Sequence, residues 1–155
     1  MNPSFNALGA TRRHLISQLV FFDEQTHHFA DMYLSGIKNP ERNLVETSIK
    51  QYTEKLMSIL ENDDRILDEM LRNVVLIGSK AEVLFEDDGS SESFTVVHPS
   101  ESDPDANRIS FISPIGRQLL CAKPDCPLLL ETPAGEHPVR IREIKYTYIG
   151  GFQIE

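Results

Sequence analysis

The sequence predicts an α+β protein, with an N-terminal antiparallel coiled-coil helical hairpin followed by a small antiparallel β-sheet domain that holds one short helix. Three observations predict it. Apolar residues recur at alternating spacings of four and three through the first half. A helix stop and a helix start lie almost side by side between Ser35 and Glu41. Beyond Asn73 the apolar period shortens to two, with turn residues between the runs.

The first arm rests on Leu15, Leu19, Phe22, Thr26, Phe29 and Tyr33, an a/d seam in which only Thr26 is polar and which Ile16 and Val20 widen. At the bend, Gly36 suits the left-handed position that ends a helix. Asn39 is a good N-cap, Pro40 a good first helical residue, and Glu41 complements the positive end of the next helix. Signals this close fold the second helix back on the first, with Gly36, Ile37, Lys38, Asn39, Pro40 and Glu41 as the tip. The second arm carries its own seam, Val45, Ile49, Tyr52, Leu56, Ile59, Asp63, Ile66 and Met70, broken only by Asp63. No Gly or Pro interrupts Glu41 to Asn73, so a helix of about 30 residues, roughly 45 Å long, is expected. The narrow seam on both arms favours a projecting hairpin over residues 1–73. Phe21 and Ile37 fall off the seam as exposed apolar residues available for self-association.

Residues 74–155 read as the second domain. An apolar run, Val74 to Ile77, ends at Gly78. Strands at Glu82–Glu86 and Phe94–Val97 flank Asp88-Gly89, a hairpin turn signal. His98 to Asn107 is loop. Arg108 to Ser113 alternates as a strand, and Ser113 then caps a short helix, Ile115 to Cys121, with Pro114 at its first position. Pro127–Glu131 is an apolar strand, Pro133-Ala134-Gly135 a turn, and Val139–Ile144 a closing strand.

Composition narrows the function. The net charge is −9, which argues against free nucleic-acid binding and permits a partner with a positive docking surface. The acidic excess gathers at Glu86, Asp87, Asp88, Glu92, Glu101, Asp103 and Asp105, and no Lys or Arg lies between Lys80 and Arg108, a pattern that reads as solvated loops. Cys121 and Cys126 are too few for a disulfide framework and, even with His137, for a zinc site, so both are expected as reduced packing thiols. Neither a signal peptide nor a membrane-length apolar run is read, which places the protein in the cytoplasm.

No catalytic motif stands out. There is no phosphate-binding glycine loop, no HExxH and no nucleophile elbow. Asp23, Glu24, His27, His28 and Asp31 are the best metal candidates, since Asp23, His27 and Asp31 share a helix face, but they flank the seam where polar residues belong anyway. No metal site and no cofactor of its own is expected.

One stretch is specific. Ile109-Ser110-Phe111-Ile112-Ser113-Pro114-Ile115-Gly116-Arg117-Gln118-Leu119-Leu120 resembles the signature of the GreA/GreB transcript-cleavage factors, in which a strand runs into Ser-Pro-Ile-x-Arg-x-Leu. The turn Pro133-Ala134-Gly135 and the strand Val139–Tyr146 follow at matching distance, and Val75-Leu76-Ile77-Gly78-Ser79 resembles the start of the same domain. The resemblance covers residues 74–146, and over the hairpin it is one of architecture and order. It implies an FKBP-like C-terminal domain without prolyl isomerase activity. It also implies docking on bacterial RNA polymerase at the mouth of the secondary channel, with the hairpin inside the channel. By motif, Ser113, Pro114 and Ile115 are the implied docking residues.

The tip departs from the family. Cleavage-competent members carry Asp-x-x-Glu there, a pair that helps hold the second Mg²⁺ of the polymerase and order a water. Aligning Gly36 on the preceding glycine puts Ile37 and Pro40 at the carboxylate positions, with Glu41 one residue off and Lys38 adding positive charge. The arm is also shorter than the family's usual one. The expected function is therefore a polymerase-binding regulator, not itself an enzyme, that does not stimulate cleavage. The alternatives are cleavage stimulation through Glu41, with or without Glu46, and an interaction module similar to the regulator of nucleoside diphosphate kinase.

Overall fold

In the computed structural model, residues 3–147 are described, with side chains from Gly9 onward. They form two compact units that divide at Asp68/Glu69, a few residues ahead of the boundary expected from sequence.

The first unit is the helical hairpin. Its first arm is α1 (Pro3–Glu24), α2 (Thr26–Phe29) and a π-helical turn, Ala30–Leu34; its second is α3 (Glu41–Leu60), and α4 (Asp64–Leu71), within which the division falls, follows. The 22 residues of α1 span about 33 Å and the 20 of α3 about 30 Å. The expected first seam holds at Leu15, Phe22 and Phe29, all buried, but fails at Thr26 and shifts beyond Phe29. The Thr26 hydroxyl donates back to the Phe22 carbonyl, a bond that competes with the helical ladder, and the helix is interrupted at Gln25. The π-turn then advances the buried face to Leu34 in place of Tyr33.

Aromatic residues cluster between the two arms here. Phe22 lies edge-on to Phe21, Phe29 and Tyr52 at centroid distances of 5.6, 6.2 and 6.2 Å. Phe21, expected at the surface, is buried in this cluster; Ile37 is half-buried. Gln18, absent from the expected seam, is fully buried and accepts the Tyr52 hydroxyl hydrogen at 2.5 Å.

The second arm is not one helix to Asn73. The Asn62 side chain donates to the Ser58 and Ile59 carbonyls and closes α3, and the Asp63 carboxylate accepts the Ile66 N–H and opens α4. Asp63 was thus a cap and not a fault in the seam. The restart moves burial by one residue, to Leu67 and Leu71 in place of Ile66 and Met70. Arg12 of α1 fastens the break, donating to the Leu60 carbonyl (3.2 Å), the Asn62 carbonyl (2.8 Å) and Asp64 (3.0 Å).

The second unit is a five-stranded sheet of β1 (Ser79–Phe85), β2 (Ser91–Val97), β3 (Arg108–Ser110), β4 (Pro127–Thr132) and β5 (Gly135–Tyr146), ordered β3-β2-β1-β5-β4, with one helix, α5 (Pro114–Leu119). It is mixed, not wholly antiparallel as expected, because β3 pairs parallel to β2 after the long 98–107 connection. The predicted turns stand at Gly89 and Gly135, both with positive φ. Ala81, Val83, Phe94, Val96, Leu130, Val139, Ile141 and Ile144 bury the inner face, and a bulge at Arg142 shifts burial from odd to even positions of β5.

The thiols form no disulfide; Cys126 is exposed and therefore not a packing residue. No helix among the described residues is long and apolar enough to cross a membrane.

Candidate docking element and hairpin tip

α5 is built by its sequence. Ser113 stands at the N-cap in extended backbone; its hydroxyl accepts the Gly116 N–H at 3.1 Å and donates to the Ser110 carbonyl at 2.7 Å. Pro114 takes the first helical position, where no N–H is needed. Gly116 is fixed by contact: a Cβ there would lie 2.0 Å from the Ser110 carbonyl oxygen. The helix is thereby pressed onto the end of β3 with Leu119 in the core. Of the three implied docking residues, Pro114 is exposed and Ile115 half-buried, while the Ser113 hydroxyl is spent inside the fold. Sequence reasoning passed over Gln118, whose amide bonds across to β4, and Gly116, which a glycine inside a helical signature could have flagged.

The tip differs from its expected form. Gly36 does not take a positive φ. The bend closes through the Ile37 N–H to the Leu34 carbonyl at 3.1 Å. The Asn39–Pro40 peptide bond is cis, and Pro40 occupies the cap position of α3 without a side-chain bond, so Asn39 is not the N-cap. The first turn winds through the Arg42 N–H to the Lys38 carbonyl and the Leu44 N–H to the Pro40 carbonyl. Glu41 is exposed, as are Gly36, Lys38 and Asn39. Glu46 is taken by Arg42 at 3.1 Å.

A helix interruption at Gln25 falls between Asp23 and His27, and Asp23, Glu24, His27, His28 and Asp31 are all exposed. Among the described residues no three His, Cys, Asp or Glu side chains gather as a metal site. Ser100 donates to His98 Nδ1 from both its hydroxyl (2.8 Å) and its N–H (3.1 Å), which makes His98 a cap of the following turn. Burial pushes His98 down to about 4, against a weaker opposing pull from Glu101, too low for a general base at neutral pH.

Residues 70–146 match the model of the GreA/GreB transcription elongation factor C-terminal domain. Transcription elongation factor GreA of Bacillus velezensis is 37% identical over 89 residues, 57% of either chain. Transcription elongation factor GreB of Pseudomonas aeruginosa is 32% identical over 106 residues, 61% of this chain and 63% of its own. The chain spans about half to three fifths of the length of the curated relatives it matches. Among solved structures, a GreA/GreB elongation factor from Nitrosomonas europaea superposes with a TM-score of 0.55 at 22% identity, over 79% of this chain and 93% of that one, a likeness of fold. Through its C-terminal domain the chain belongs to the GreA/GreB family.

Proposed function

We propose that the chain binds bacterial RNA polymerase, docking through the first turn of α5 with Pro114 and Ile115 at the contact. Its helical hairpin enters the secondary channel and does not stimulate transcript cleavage. The observation that carries the reading is the tip. A second polymerase Mg²⁺ needs a fixed pair of carboxylates, and two positions in register with the family's pair hold Ile37 and Pro40. Glu41, one residue out of that register, is exposed, Lys38 adds positive charge to the same turn of sequence, and Glu46 is engaged by Arg42. The docking half is supported by the family match across α5 and by an exposed Pro114 on a helix start that Ser113 and Gly116 hold rigid. The mechanism is occupancy: a helical rod fills a channel and changes what passes through it.

A backtracked polymerase complex incubated with the chain should release no more cleaved transcript than polymerase alone, and Glu41→Ala should leave that unchanged. Cleavage that depends on Glu41 would establish the stimulating alternative. Core polymerase should retain the wild-type chain and lose Pro114→Asp. If wild type is not retained, the polymerase reading fails.

A further inference from the structure

We infer that Gln118 is a positioning residue for the docking turn, one that clips the exposed start of α5 to the edge of the sheet. The inference rests on the docking role proposed for Pro114 and Ile115. α5 is only six residues long, too short to hold its own first turn in place. Its inner side is fixed by Ser113 on the Ser110 carbonyl and by the close seat of Gly116. Its outer side is tied to β4 by the Gln118 side chain. The Gln118 amide donates to the Glu131 carbonyl at 2.8 Å and accepts the Glu131 N–H at 2.7 Å. It also donates to the Pro114 carbonyl at 2.9 Å.

The first two bonds reproduce what a neighbouring strand would give β4, which is the last strand of the sheet on that side. The third reaches the residue proposed to meet the partner, which lies one turn back on the same helix face. Both amide hydrogens are used on backbone oxygens, so the clip has a fixed geometry and only an amide of this length makes it. Methionine cannot make any of the three bonds. Glutamate keeps the acceptor for the Glu131 N–H but sets a carboxylate against two carbonyl oxygens.

The test measures binding of the full chain to core RNA polymerase alongside amide hydrogen exchange of the unbound chain. Gln118→Met, close in length and helix propensity, is expected to weaken binding roughly tenfold, as about one and a half net hydrogen bonds would. The Glu131 amide should lose protection while the β1–β5 amides keep theirs. Gln118→Glu, which serves if the methionine variant fails to fold, should weaken binding by a similar factor at neutral pH. Wild-type affinity in either folded variant, with Glu131 deprotected, overturns the inference and leaves Gln118 a merely structural clip. Protection of Glu131 unchanged in both variants also overturns it. Wild-type binding that Pro114→Asp does not weaken rejects the docking reading itself, whatever Gln118 does.

Discussion

At the scale of single residues, His98 supplies a dependence on pH. Its side chain is 4% exposed and its folded pKa is about 4, against about 6.5 when unfolded. Between these values the unfolded chain binds a proton that the folded chain refuses, so stability rises with pH across this window. The contribution is complete above about pH 6.5 and is lost as pH falls towards 4, up to roughly 3 kcal/mol. Urea midpoints at about pH 7 and about pH 4.5 should differ less in His98→Gln than in wild type; equal differences would show that His98 takes no part. His98 was legible only as a loop residue, because burial of a polar side chain leaves no mark in apolar periodicity. Gln18 was missed for the same reason: it sits three residues after Leu15 on the buried face and is satisfied by Tyr52, a partner 34 positions away. Leu15, Phe22, Tyr52, Leu56 and Ile59 were all legible, since apolar spacing is the signal that their burial creates.

At the scale of elements, the breaks carry the lesson. Asn62-Asp63-Asp64 is a cluster of residues that cap helices better than they continue them, and the sequence did carry that signal against the longer apolar period. Apolar spacing alone overrode it because a one-residue slip still leaves an apolar residue near each expected position. The parallel pairing of β3 was not legible, since alternation reports which face a strand buries and not which way it runs. The bulge in β5 was written in Val139, Ile141 and Ile144, where the buried positions change parity. Arg12 holds the α3–α4 break by reaching three groups with one planar fork, and a lysine cannot reproduce that fork. Arg12→Ala and Arg12→Lys should each lower stability of the helical unit by about 1–2 kcal/mol, the partial exposure of the Arg12–Asp64 pair keeping the figure modest. Helical circular dichroism followed through urea unfolding measures this, and a lysine variant as stable as wild type would mean that charge alone suffices.

At the scale of the whole molecule, the fold class was legible because each half repeats its own period over many residues. The tip was legible in composition but not in conformation: the missing carboxylates are read directly, whereas the position of the cap depends on how the chain winds from Lys38. A net charge of −9 gives the chain no general attraction to nucleic acid, so under the proposed function its hold on a transcribing complex comes from the polymerase. Occupancy then predicts competition. Added with a cleavage-competent GreA, the chain should suppress cleavage of a backtracked transcript in proportion to the polymerase it occupies. Excess free duplex DNA should not relieve the suppression, because the duplex has no claim on an acidic chain. Pro114→Asp should abolish suppression through loss of docking, whereas Glu41→Ala should preserve it, since a rod blocks a channel without any carboxylate at its end. The measurement is the rate of cleavage against added chain for these three proteins. Suppression that survives in Pro114→Asp would place the contact elsewhere, and suppression that vanishes in Glu41→Ala would show that the tip acts by chemistry and not by filling space.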